Sequence, residues 1–226
     1  MKQFFITGTD TEVGKTFLSQ AILHGLKRHQ KRVIGYKPIA AGCELTAAGL
    51  RNEDALTLLQ ASSIPLQYSD VNIYSFEQPI APHIAAEMEQ VTLDIRDIEQ
   101  GLRRLQEKQP DYLLIEGAGG WRLPLSLQPE PVFLSDFVIQ QQIPVVLVIG
   151  MRLGCLNHAR MTFESIQQDG LEVAGWIANH VDAEMACQSH NLRALQALIS
   201  APFLGEVPVT ATPEMATDYL DIAPLM

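Results

Sequence analysis

The sequence predicts an α/β fold: a single domain over residues 1–226, with a mostly parallel β-sheet flanked by helices on both faces. Three observations carry this. Short apolar runs alternate with segments of helical periodicity along the whole chain. Several of those runs, Tyr112–Ile115 and Pro144–Ile149 among them, are apolar almost without interruption, as strands covered on both faces must be. No internal repeat, linker or low-complexity stretch divides the chain.

Taken in order, Phe4–Ile6 reads as a strand, and the apolar residues Phe17, Leu18, Ala21, Ile22 and Leu26 fall at the spacing of a helix fading near His29. Val33–Tyr36 is a second strand, ended by Lys37-Pro38. Residues 39–52, with Gly42, Gly49 and small polar side chains, read as loop, and 53–60 as a short helix. Residues 62–82 suit irregular structure with at most one strand, near 71–74, and 83–88 a helical turn or two. Thr92-Leu93-Asp94 opens a clearer helix, with Ile95, Ile98, Leu102 and Leu105 at three- and four-residue steps. After the strand at 112–115 come a proline-rich loop over 123–131, a helix over 132–142 and the strand 144–149. Asn157 is expected to cap a helix over 158–168. A strand over 173–178, a helix over 184–199, a short strand at 203–204, loop over 208–213 and a weakly helical tail complete the chain.

Composition narrows the function. The formal net charge of −10, with no basic run, argues against nucleic acid. It leaves a small anionic ligand open, because a few local N–H groups and lysines outweigh a distant field. Three scattered cysteines without a Cys-x-x-Cys pair suit a reducing compartment rather than a disulfide framework or zinc site. The chain runs straight into a strand, and its longest apolar run is far too short to cross a bilayer. A cytoplasmic protein is expected.

The chemistry begins with Gly8-Thr9-Asp10-Thr11-Glu12-Val13-Gly14-Lys15-Thr16, between the first strand and the first helix. Glycines let backbone N–H groups turn inward, and the helix N-terminus adds partial positive charge: a phosphate cradle. Lys15 would reach the outer phosphates and the Thr16 hydroxyl would hold Mg²⁺. The usual pattern has four residues between its glycines; Gly8 and Gly14 enclose five, so the loop is a variant.

In parallel sheets ligands sit beyond the carboxyl ends of the strands. Those ends deliver the phosphate loop, Lys37, Glu116-Gly117-Ala118-Gly119-Gly120, Gly154-Cys155-Leu156-Asn157, Asn179, and Val207-Pro208. Lys37 could neutralise a transferring phosphoryl group, although a strand-end lysine can equally be a solvated one. Asp54 and Glu116 are carboxylates suited to share Mg²⁺ with Thr16, with an ordinary helix-start acid the plainer reading of Asp54. Asn179 offers an amide to a purine edge or a cap to a turn. His83, His158 and His180 lack metal-ligand spacing and read as structural.

These blocks, with Gly35-Tyr36-Lys37-Pro38, Leu50–Leu56, Pro82-His83, Trp121, Leu153–His158, Gly175–Asn179 and Leu204–Pro208, closely resemble the dethiobiotin synthetases of biotin biosynthesis, in the same order over nearly the whole chain. The resemblance implies a P-loop NTPase-like enzyme that uses ATP and Mg²⁺ to close a cyclic urea on 7,8-diaminopelargonic acid with CO₂. An amine takes up CO₂ as a carbamate, ATP phosphorylates the carbamate, and the second amine displaces phosphate from the mixed anhydride.

By the same resemblance Lys37, Lys15, Thr11 and Glu12 would be catalytic. Glu12, Val13, Gly14, Lys15, Thr16, Phe17, Asp54, Glu116, Gly117, Ala118 and Gly119 would bind ATP. Asn179, His180, Pro208, Val209, Thr210 and Glu214 would surround its base and ribose, and Thr16, Asp54 and Glu116 would serve the metal. Substrate would meet Lys37, Ala41, Gly154, Cys155, Leu156 and Asn157, with the site at the interface of a homodimer. Two positions depart from the common pattern: Ala41 where a serine is usual, and His180 where an acid is usual. A switch-type ATPase of the partition kind is the main rival, but its extra lysine early in the loop is missing from Thr9–Val13. A catalytically dead scaffold and a nucleoside kinase are the others.

Overall fold

A six-stranded sheet lies at the centre of the computed structural model, which describes residues 1–181, 185–210 and 212–226. Its strands are β1 (Lys2–Gly8), β2 (Val33–Tyr36), β3 (Tyr112–Glu116), β4 (Val145–Gly150), β5 (Val173–Asn179) and β6 (Phe203–Val207). They lie in the order β6-β5-β4-β1-β3-β2, and every neighbouring pair is parallel. The helices are α1 (Lys15–Arg28), α2 (Glu53–Ala61), α3 (Tyr68–Val71), α4 (Pro82–Met88), α5 (Ile95–Gln106), α6 (Leu134–Gln140), α7 (Cys155–Gln168), α8 (Gln188–Leu198) and α9 (Pro213–Ala216).

Side chains alternate across the pleat, so each strand feeds two cores. Phe5, Leu113, Ile115, Val145, Leu147 and Ile149 pack with Ile98 and Leu102 of α5, Phe137 of α6 and Phe163 of α7. Phe4, Ile6, Leu114, Val146 and Val148 pack with Leu18, Ile22 and Leu26 of α1 and Leu58 of α2. The mostly parallel α/β arrangement read from the sequence is present, with apolar cover on both faces.

The strand order matters for function. From β1 the chain moves to one side through β2 and β3, then to the other through β4, β5 and β6. Adjacent connections therefore diverge around β1 and open a crevice at its carboxyl end. The loop after β1 stands in that crevice.

Four local expectations need correction. Residues 39–52 are not plain loop: Ile39–Ala41 pairs in parallel with Tyr74–Phe76, and Glu44–Thr46 pairs antiparallel with Gly49–Arg51. These ribbons, of three residues a strand, are too short to carry an alternation signal. The strand placed at 71–74 is Tyr74–Phe76, since Asp70 completes a capping box that gives 68–71 to α3. The helix read from 132 starts at Leu134, because Val132–Phe133 pairs with Pro124–Ser126 and Asp136 accepts from the Phe133 N–H at 2.8 Å. Asn157 is not the cap of α7: Gly154, at φ +95°, ends the turn, and Asn157 falls inside the first helical turn. The predicted start of the next helix at Glu184 lies outside the described residues; the helix is seen from Gln188.

Candidate active site

Lys37 follows β2 directly, and Glu116 ends the neighbouring β3, where Tyr36 stands opposite Ile115. That register brings the next residue of β2 beside the last of β3. The Lys37 ammonium lies 2.6 Å from Glu116 Oε1 and 3.1 Å from Asp54 Oδ2. Thr16, in the first turn of α1, donates its hydroxyl to the same Glu116 oxygen at 2.6 Å. Asp54 comes from the first turn of α2, which Asn52 caps by accepting from the Ala55 N–H at 3.2 Å.

Lys37 and Glu116 are 5% and 1% exposed. Burial opposes the charge on Lys37, but Glu116 and then Asp54 outweigh it and hold the ammonium above the ordinary lysine range. Among the described residues Lys15 has no carboxylate partner; its ammonium donates to the Asp10 carbonyl at 2.9 Å. Burial, then the nearby Lys37 charge, bring Lys15 down to about 8. Two buried lysines thus face one crevice, one firmly charged and one easily deprotonated until an anion arrives.

The loop between them is shaped by close packing. Gly14 has φ +87°, and a Cβ there would stand 2.2 Å from Asn179 Nδ2, so no side chain is accommodated. Asn179 itself donates to the Val13 carbonyl at 2.9 Å, tying the end of β5 to the loop. A cavity of about 760 Å³ opens over this loop. It brings together Thr11, Glu12, Gly14, Lys15, Thr16, Phe17, Lys37, Ala41, Asp54, Ala118 and Gly119. Glu116 closes the floor through Lys37 and Thr16; Val13 is buried, at 1% exposed. Gly117 packs on Phe5, where a Cβ would lie 2.8 Å from the ring.

The residues expected around the base and ribose do not gather in one place. His180, Pro208 and Val209 line a second cavity of about 440 Å³ with Glu206 and Tyr219, and His180 Nε2 lies 2.7 Å from Glu206 Oε1. Asn179 is turned under the phosphate loop rather than into that cavity. Thr210 and Glu214 line neither space; Glu214 lies 3.0 Å from His24 of α1. Gly154, Cys155, Leu156 and Asn157 also line neither, and the adjacent Leu153 is 98% exposed.

Sequence reading missed one wall of the first cavity: Ile39, Ala40, Pro79, Ile80, Ala81 and Leu123. Only the Pro82-His83 block pointed there, because residues 77–82 reach the site through the short 39–41/74–76 pairing.

The donors also suit a hard dication. Thr16, Asp54 and Glu116 all offer oxygen: Asp54 and Glu116 already hold one cation, the Lys37 ammonium, and the Thr16 hydroxyl donates to Glu116. Glu116 Oε2 is buried with no hydrogen-bond partner among the described residues, a vacant acceptor at a cost the fold would otherwise avoid.

Comparison with known proteins finds relatives over the full length of the chain. Residues 2–215 match the AAA domain family. The ATP-dependent dethiobiotin synthetase BioD of Aeromonas hydrophila is 46% identical over 228 residues, covering 100% of both chains. ATP-dependent dethiobiotin synthetase BioD 1 of Escherichia coli K12 is 46% identical over 225 residues, covering 98% of each. Among solved structures, the MinD cell division protein of Aquifex aeolicus superposes with a TM-score of 0.57 at 14% identity, covering 96% of this chain and 86% of that one. A ParA family ATPase from Chlorobium tepidum gives 0.56 at 11%, covering 92% and 84%. Those two likenesses describe the fold alone, whereas the full-length relatives decide the lineage: this chain belongs to the ATP-dependent dethiobiotin synthetase family of enzymes.

Proposed function

We propose that the chain makes dethiobiotin, by closing a cyclic urea on 7,8-diaminopelargonic acid with CO₂ at the expense of ATP. One amine adds to CO₂ and loses a proton, giving a carbamate. A carbamate oxygen attacks the γ-phosphorus and ADP leaves. The second amine then attacks the carbonyl carbon, loses its proton, and expels phosphate. The observation that carries this reading is the pair of buried ammonium groups, Lys15 and Lys37, on one cavity.

Carbamate and triphosphate repel each other, so the reaction needs fixed positive charge where they meet. Lys37, already locked as an ammonium, is suited to hold the phosphoryl oxygens during transfer. Lys15 would take its proton firmly once phosphate replaces the Asp10 carbonyl as its partner. The N–H groups of Gly14–Thr16 open α1 and suit the phosphates, with Thr11, Glu12, Ala118 and Gly119 lining the approach. Ile39, Pro79 and Ile80 offer an apolar wall to the alkyl chain of the diamine. A magnesium ion on Thr16, Asp54 and Glu116 would supply further neutralisation of the phosphates. The cavity at His180, Pro208 and Val209 is the place for the base.

Because Gly154–Asn157 stands outside the chain's own cavity, its contact with substrate would come from a second copy in a homodimer. Sedimentation should then give twice the chain mass of 25.0 kDa. The decisive assay mixes ATP, Mg²⁺, bicarbonate and the diamine and measures ADP and dethiobiotin. Both should appear only in the full mixture. Equal ADP without the diamine would favour a switch ATPase, and none in any mixture a scaffold.

A further inference from the structure

Arg152 belongs to none of the residues assigned so far, yet it grips the phosphate loop. It lies between β4 and α7, and its guanidinium pairs with the Asp10 carboxylate. The other Asp10 oxygen accepts from the Thr11 N–H at 2.7 Å, and the Asp10 carbonyl is the partner of Lys15. One residue thus carries a negative side chain beside the place where a triphosphate must land, and also parks the lysine that must meet it. Its charge is felt at Lys15, adding to those of Glu116 and Asp54. Neither Asp10 nor Arg152 lines the cavity.

We propose that Arg152 is a positioning residue for nucleotide: it neutralises Asp10 and holds the first half of the phosphate loop, so that ATP meets no unpaired carboxylate at the rim. The proposal rests on reading that loop as the ATP site. The backbone of the same segment adds a mechanical link. The Arg152 carbonyl accepts from the Cys155 N–H at 3.0 Å at the start of α7, and the Met151 N–H donates to the Asn179 carbonyl at 2.7 Å. The arginine is therefore fixed relative to β5 and α7 and does not simply follow the loop.

The test is a double-mutant cycle on the full chain, read by direct titration with MgADP and by steady-state kinetics in ATP. Arg152→Ala should weaken MgADP binding and raise KM for ATP by about five-fold, the upper range for a half-exposed pair, with kcat little changed. Arg152→Lys should recover most of the loss. Asp10→Asn together with Arg152→Ala should return affinity close to that of the parent, since the offending charge is gone. The single-variant defect should shrink as salt is raised, because the repulsion it exposes is screened. Unchanged affinity in Arg152→Ala would overturn the proposal, as would a defect that Asp10→Asn leaves in place. A fall in kcat at constant KM would instead make Arg152 a group acting on the transition state. If the parent fails to bind MgADP, the reading of the loop fails rather than the role of Arg152.

Discussion

Replacing Lys37 by methionine keeps most of the side-chain volume and removes one charge from between two carboxylates. Glu116 is 1% exposed, and its Oε2 already has no partner among the described residues. Its Oε1 would keep only the Thr16 hydroxyl. Removing one member of a buried ion pair costs about 3–5 kcal/mol, because the other charge stays buried and uncompensated. For a chain of this size each kcal/mol is worth roughly 2–4 °C in Tm, so the variant should melt on the order of 10 °C below the parent. The two carboxylates and Thr16 would then be free for a dication. Millimolar Mg²⁺ or Mn²⁺, without nucleotide, should raise the Tm of Lys37→Met clearly more than that of the parent, as preferential binding to the folded state requires. Differential scanning calorimetry with and without metal reads both effects. A variant melting within about 2 °C of the parent would refute the buried-pair account. A metal response no larger than the parent's would refute the view that Lys37 and the dication share one set of ligands.

Lys37→Gln should abolish turnover in the coupled ADP assay while leaving the circular dichroism spectrum intact; near-normal kcat would remove Lys37 from phosphoryl transfer. Lys15, at about 8 in the free protein, must be protonated to bind phosphate, so kcat/KM for ATP should be level at lower pH and fall as pH rises through about 8. The same depressed value makes the folded protein hold fewer protons than the unfolded chain between about 8 and the ordinary lysine range, so the apo protein should gain stability with rising pH there. Nucleotide-saturated protein should lose that gain. Gly14→Ala meets both a positive φ and the Asn179 amide at 2.2 Å, and titration calorimetry should find nucleotide binding lost. Asp169→Ala removes the acceptor of Trp121 Nε1 at 2.8 Å and of Arg122 at 2.6 Å, and should lower stability by about 1–3 kcal/mol in urea with a changed tryptophan emission.

Much of this protein is legible in its one-dimensional pattern. Continuous apolar runs such as Val145–Ile149 read as strands covered on both faces, and Gly-Lys-Thr between a strand and a helix reads as a phosphate cradle. Those are local relations, set by side-chain period and backbone sterics, so local reading recovers them. The chain likewise specified Lys37 and Glu116 as strand-end residues. What no local rule holds is the register that sets Tyr36 opposite Ile115, and with it the 2.6 Å contact between an ammonium and a carboxylate seventy-nine positions apart. The Arg152–Asp10 grip, the turn of Asn179 under Val13 and the wall formed by Pro79 and Ile80 are of the same kind. They arise because the sheet sets β1 between β3 and β4 and so gathers chain segments that are distant in sequence at one crevice, and only the folded packing determines which of their side chains touch.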